Sequence, residues 1–248
     1  MRADVIKDFQ EIAVNAVSFS QQGGTVLYAC SPRNTDTIAA NSASRTTDKI
    51  HLVSILWEHL VRTKSSHWAD RRFSSRADLP IQVVHDPLGR PQLLGECDGP
   101  AISFSEGGGR IWAALCGDEY DIGIDVAVAN EFQREYPFHR VFHPQELQHA
   151  LRLAGGDLKK ASAMLWSIKE AAVKALGCAF HLVDPRQITV YPSTEGAVWG
   201  NGGYTFPAGL SGKARVRFPI AAGRTLWVRS LPQRKMCLSI ALLNRQHR

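Results

Sequence analysis

Two stretches near the middle of the chain show different hydrophobic periods. Tyr120 to Ala127, YDIGIDVA, alternates: Ile122, Ile124 and Val126 share one face of a strand, and Gly123, Asp125 and Ala127 share the other. Leu165 to Gly177, LWSIKEAAVKALG, follows the helical period, with Leu165, Ile168, Ala172, Ala175 and Leu176 on one stripe and Ser167, Glu170 and Lys174 opposite. This predicts an amphipathic helix with one packed face and one face free to act. Asp157 is placed to cap it and Gly177 to end it.

The flanking patterns predict a mixed fold. Residues 12–32 read as two strand-like runs joined by a hairpin at Gln21 to Gly24, residues 33–48, rich in Asn, Ser and Thr, as a loop or the lead-in to a helix, and about Thr47 to Arg62 as a largely buried helix. IQVVHDPLGRPQLLG gives strand, turn and strand around Gly89-Arg90-Pro91. After AISFSEGGGRIWAALC, the pair Gly117-Asp118 is expected to form a β-hairpin that delivers Asp125. The triple glycine Gly107 to Gly109 suits either an anion-binding nest of backbone N–H groups or a plain hairpin turn. VFHPQELQHALRLAGG reads as a short helix with Pro144 and Glu146 in its first turn. RQITVYP, KARVRFPI, RTLWVRSLP and KMCLSIALL read as strands. The expected class is α+β, with one unit over residues 1–117 and a second over 118–248.

Composition narrows the setting. With 248 residues, 44% hydrophobic and 21% charged, the chain is long enough for one large core or two smaller ones. It has no apolar run of the length that spans a membrane, and Asp4, Lys7, Asp8 and Glu11 stand where a secretory leader is apolar, so a cytoplasmic location is expected. Five cysteines without a C-x-x-C pair indicate neither a disulfide framework nor a zinc ribbon. A formal charge of +6 favours anionic partners. The basic residues read as dispersed apart from Arg71, Arg72 and Arg76, and no nucleic-acid motif accompanies them, so nucleic acid is not an expected partner.

On its own the Glu170/Lys174 pair is a surface i,i+4 contact worth about a few tenths of a kcal/mol. Asp125 changes that, because a carboxylate on so apolar a strand must be solvated, paired or bound to a cation. IGIDV followed by WSIKEAAVK resembles the 4'-phosphopantetheinyl transferases of the larger Sfp type, in which a G-(I/V)-D strand precedes a (W/F)-(S/C)-x-K-E-x-x-x-K helix. The resemblance implies two similar α+β subdomains with the active site in the cleft between them. It also implies transfer of 4'-phosphopantetheine from coenzyme A to a serine of an apo acyl or peptidyl carrier protein, with release of 3',5'-ADP, by a monomer.

The same resemblance implies a set of roles. Asp125 and Glu170 would hold Mg2+; Lys174 and Lys169 would meet phosphate; Glu146, in a Phe142 to Glu146 F-x-x-x-E element, or a metal-bound water would accept the serine proton. Arg90 would reach a phosphate of coenzyme A, and Ser105 and Arg45 would serve its nucleotide end, while Arg110 would supply the charge beside a nest at Gly107 to Gly109. The chain departs from the family in two places: aligned on Ser105, Glu106 replaces a histidine, and Ala127 replaces a third acid. Those departures keep open a catalytically impaired carrier-binding module of the same fold. A magnesium enzyme acting on another nucleotide diphosphate ester is a further alternative.

Overall fold

The structure, a computed structural model, describes residues 12–33, 42–63, 81–94, 99–133, 135–193 and 202–245, without the side chains of 42–45. Arg71, Arg72, Arg76 and Cys97 lie outside the described residues, as does the side chain of Arg45.

The fold is α+β, built as helix, sheet, sheet and helix. The first sheet is antiparallel in the order β1 (Asn15–Phe19), β2 (Gly24–Pro32), β6 (Arg110–Cys116), β5 (Ala101–Gly107). Helix α1 (Ser42–Thr63) lies on one face of it, where Leu52, Val53, Leu56 and Leu60 pack on Leu27, Ala29, Ile111 and Leu115. The helix begins five residues before the expected Thr47, inside the stretch read as a loop or the lead-in to a helix. A short hairpin, β3 (Val83–His85) with β4 (Pro91–Leu93), carries the expected turn at Arg90.

The second sheet runs in the order β7 (Tyr120–Val128), β11 (Met236–Asn244), β10 (Leu226–Pro232), β9 (Tyr204–Leu210), β8 (Ile188–Val190). Its inner face meets the first sheet through Ile122, Ile124, Val126, Leu238 and Ile240, packed with Phe19, Val26 and Trp112. Its outer face carries α4 (Leu158–Ala175), flanked by α2 (Phe138–Val141) and α3 (Pro144–Leu153). Asp157 caps α4 by accepting from the Lys160 N–H at 3.1 Å. Gly177 ends it at φ 77°, and a Cβ there would lie 2.5 Å from the Arg90 guanidinium.

Several sequence expectations are corrected. Strands β6 and β7 do not form a hairpin: β6 is already paired on both edges, by β2 and β5, so the chain crosses at residues 117–119 to the second sheet. The glycine run, by contrast, takes the hairpin alternative, as the two-residue turn of β5–β6 with Gly108 and Gly109 at φ 61° and 71°. KARVRFPI is two short helices, α5 (Gly212–Arg217) and α6 (Pro219–Ala222), split by the proline, although its basic and apolar residues alternate like a strand. β9 escaped the sequence reading because Pro207 and Gly209 interrupt it.

Candidate active site

Strands β7 and β5 are the facing edges of the two sheets, and the site sits at that seam. An edge strand leaves backbone N–H groups unpaired, and here serine hydroxyls satisfy two of them. Ser103 Oγ accepts from Ile124 N–H at 3.1 Å, and Ser105 Oγ accepts from Val126 N–H at 3.2 Å. Ser105 also donates to Asp125 Oδ1 at 3.0 Å. Its hydroxyl therefore fixes the carboxylate through a contact that bridges the two sheets.

Asp125 leaves β7 on the side of α4, as the alternation predicts, and is 7% exposed. Helix and strand come unusually close there. A Cβ at Gly123 would lie 2.0 Å from the Ala171 carbonyl oxygen, so glycine at this position lets the helix sit on the strand. Lys174 Nζ, one turn after Glu170, reaches Asp125 Oδ1 at 2.7 Å and donates to the Ile124 carbonyl at 3.1 Å. Glu170 is brought beside them. Burial, then the Asp125 charge, push its carboxyl up to about 7, with Lys174 pulling the other way. Two carboxylates and one ammonium thus converge on a half-buried spot.

The rest of the polar stripe on α4 is not free, which corrects the sequence expectation. The helix is covered almost all round, by β7 and β11 on one side and α3 on another. Ser167 is buried and hydrogen-bonds Ser239 Oγ at 2.7 Å. Lys169 is 0% exposed, and its ammonium faces Glu146 Oε2 at 3.0 Å, the Pro185 carbonyl at 2.9 Å and the Ile188 carbonyl at 2.6 Å. Burial lowers the Lys169 pKa, and Glu146 opposes that shift.

Glu146 is equally committed. Its Oε2 accepts from the His143 N–H at 3.0 Å, at the start of α3, and its Oε1 from the Val190 N–H at 2.8 Å. The pair Glu146/Lys169 ties α3, α4 and β8 together and is separate from the Asp125, Glu170 and Lys174 group.

The residues read as nucleotide contacts are dispersed. Arg90 binds Asp121 at 2.5 Å and the Ala175 carbonyl at 2.7 Å, at the end of α4. Arg110 is exposed at the start of β6 and contacts Cys30 Sγ at 3.2 Å. Ser105 turns to β7, whereas Phe104 and Glu106 turn to α1, where Lys49 pairs with Glu106 at 3.0 Å and stands over the Phe104 ring. The acid at 106 is therefore neutralised by a neighbouring cation. Ala127 is 1% exposed in the apolar core under α4, so nothing at that position replaces a third acid.

Tyr136, which the sequence reading passed over, also belongs here. Its hydroxyl is pushed up to about 12 by burial and then by the charge of Glu170, and its ring packs against Phe132, Phe138 and Trp166. A cluster of aromatics between the strand and helix motifs was the available signal.

Among the described residues no group of three or more His, Cys, Asp and Glu side chains could hold a metal. Two carboxylates do suit magnesium, which takes one or two of them and completes its octahedron with phosphate oxygens and water. Glu170, hard to ionise beside Asp125, is a carboxylate that a cation would relieve. No described helix is long and apolar enough to cross a membrane.

The solved structure titled "Chronobacterium ammoniagenes ACPS-CoA complex" is similar at 21% identity and a TM-score of 0.41, over 52% of this chain and 98% of that one. No curated protein matches the chain. The pattern of the 4'-phosphopantetheinyl transferase superfamily matches residues 121–215, the segment that holds Asp125, Glu170 and Lys174.

Proposed function

We propose that the protein transfers 4'-phosphopantetheine from coenzyme A to a serine hydroxyl of an apo carrier protein, with magnesium, releasing 3',5'-ADP. The observation that carries this is the convergence of Asp125, Glu170 and Lys174 between β7 and α4, inside the segment that matches the superfamily. In this reading residues 1–117 and 118–248 are two subdomains and the reaction takes place at their seam.

Asp125 and Glu170 are the residues that would hold magnesium. When bound, the ion supplies charge neutralisation for the pyrophosphate and for the leaving phosphate. Lys174 presents its ammonium to the same phosphates, and Ser105 holds Asp125 in place. Glu146 is an expected proton acceptor that we set aside, since backbone N–H groups and Lys169 occupy both its oxygens. We assign the proton of the attacking serine to Glu170, the carboxylate beside Asp125 and Lys174.

A carrier-binding module without turnover is the second reading, favoured by Ala127. Incubation of the protein with coenzyme A, magnesium and an apo acyl or apo peptidyl carrier separates the two. Transfer yields equal amounts of holo-carrier and 3',5'-ADP. Carrier binding without either product supports the module, and absence of coenzyme A binding defeats both readings.

A further inference from the structure

The positive charge of this chain is not dispersed, contrary to the sequence expectation. All 23 acidic residues lie at or before Glu195, whereas the chain after it carries nine Lys and Arg. Three of those nine, Lys213, Arg215 and Arg217, are exposed along α5. Among the described residues no acid pairs with any of them.

Apolar side chains stand among those cations, and the fold leaves them uncovered. Helices α5 and α6 hold to the body of the protein through Ala214 and Ala221, which are buried, and Phe218, which is half-buried. At 100° per residue Val216 points away from Ala214, and Lys213 and Arg217 flank it on the outer side of α5. Val216 is 81% exposed and Ile220, on α6, is 62% exposed, the highest values among the large hydrophobic side chains described. Leu88, in the turn before β4, is also exposed and lines one cavity with Ile220, which extends the patch. Single exposed apolar residues are ordinary, but a group of them rimmed by charge of one sign marks an interaction surface.

We propose that α5 and α6 dock the carrier protein through an acidic amphipathic helix, whose apolar side chains lie on Val216 and Ile220 and whose carboxylates meet Lys213, Arg215 and Arg217. This rests on the proposed function and adds to it the surface that selects the carrier. The charge favours an acidic partner: the cations have no acid of their own chain to satisfy them, so a partner's carboxylates gain contacts without displacing any. Apolar anchors at helical spacing are what such a helix presents, and the rim charges steer it and set its register. The surface lies at the C-terminal end of α4, where Ala175 lines the same cavity as Arg217 and Ile220, five residues or about 7.5 Å at the helical rise beyond Glu170. The segment that matches the superfamily ends at residue 215, so Val216, Arg217 and Ile220 lie outside that shared pattern.

The test compares the full chain as wild type, Val216→Glu, Ile220→Ser and Arg215→Glu in two assays: binding of a fluorescently labelled apo acyl or apo peptidyl carrier, and steady-state transfer to it. All three side chains are exposed, so the variants retain the fold. Val216→Glu should raise both the Kd and the KM for the carrier by about tenfold or more, while the KM for coenzyme A and the kcat at saturating carrier stay as in the wild type. Ile220→Ser should act in the same direction, and Arg215→Glu should also weaken the salt dependence of carrier binding. Unchanged carrier Kd in all three variants, no carrier binding by the wild type, or a raised KM for coenzyme A alone would overturn the docking assignment. So would binding to vesicles of equal phosphatidylserine and phosphatidylcholine that Val216→Glu abolishes while carrier binding stays intact, which would give the surface to a membrane. Carrier binding that Val216→Glu weakens, with no transfer by the wild type, would keep the docking surface and overturn the transferase reading instead.

Discussion

Replacing Glu170 with Gln should stabilise the metal-free protein, and only above mildly acidic pH. The Glu170 carboxyl rises from an ordinary 4.5 to about 7 on folding, through burial first and Asp125 second. Folding therefore favours its protonated form. Below the unfolded value both states are protonated and the group costs nothing. As pH rises from 4.5 to 7, the unfolded chain ionises while the folded one resists, and stability falls; above 7 the cost is constant. A rise of that size has a ceiling of about 3 kcal/mol, which solvent at the partly exposed carboxyl reduces to about 1–2 kcal/mol. Gln keeps the shape and removes the charge. Urea unfolding in the presence of a chelator should give Glu170→Gln a gain of that order at pH 8 and none at pH 4.5. Magnesium at pH 8 should raise the wild type and leave the variant unmoved. A variant less stable than wild type at pH 8 without metal would show that Asp125 and Glu170 do not share one electrostatic site.

Other substitutions probe the supports of that site. Gly123→Ala forces a Cβ onto the Ala171 carbonyl, where backbone cannot yield cheaply, and should cost about 3 kcal/mol in thermal or urea unfolding. Lys169→Met leaves Glu146 buried without its cation and should cost about 3–5 kcal/mol, with part recovered in the double variant Lys169→Met/Glu146→Gln; loss of coenzyme A affinity with unchanged stability would instead return Lys169 to the ligand site. Ser103→Ala and Ser105→Ala each remove one acceptor of a β7 N–H and should each cost about 1 kcal/mol. Only Ser105→Ala should also raise the magnesium concentration needed for half-maximal transfer, and identical magnesium dependence in both variants would deny Ser105 its hold on Asp125.

The strand and helix motifs were legible because each is local: the alternation of YDIGIDVA and the helical stripe of LWSIKEAAVK report their own periods. What the sequence did not disclose depends on partners far along the chain. Lys169 looks like a rim cation on a helical wheel, yet Glu146, Pro185 and Ile188, 16 to 23 residues away, enclose it. Arg90 looks available, but Asp121 arrives from another sheet to pair with it. The crossing from β6 to β7 was misread because a Gly-Asp pair between two strands suits a hairpin as well as a sheet change; the pairing of β6 with β2 decides it.

The most direct test is intact-mass analysis of an apo carrier protein incubated with coenzyme A, magnesium and either the wild type, Asp125→Asn or Glu170→Gln. The account predicts a 4'-phosphopantetheine mass gain with the wild type, lost in both variants and lost when the acceptor serine of the carrier is replaced by alanine. Undiminished gain in both variants would contradict the assignment of the active site to the β7 and α4 seam.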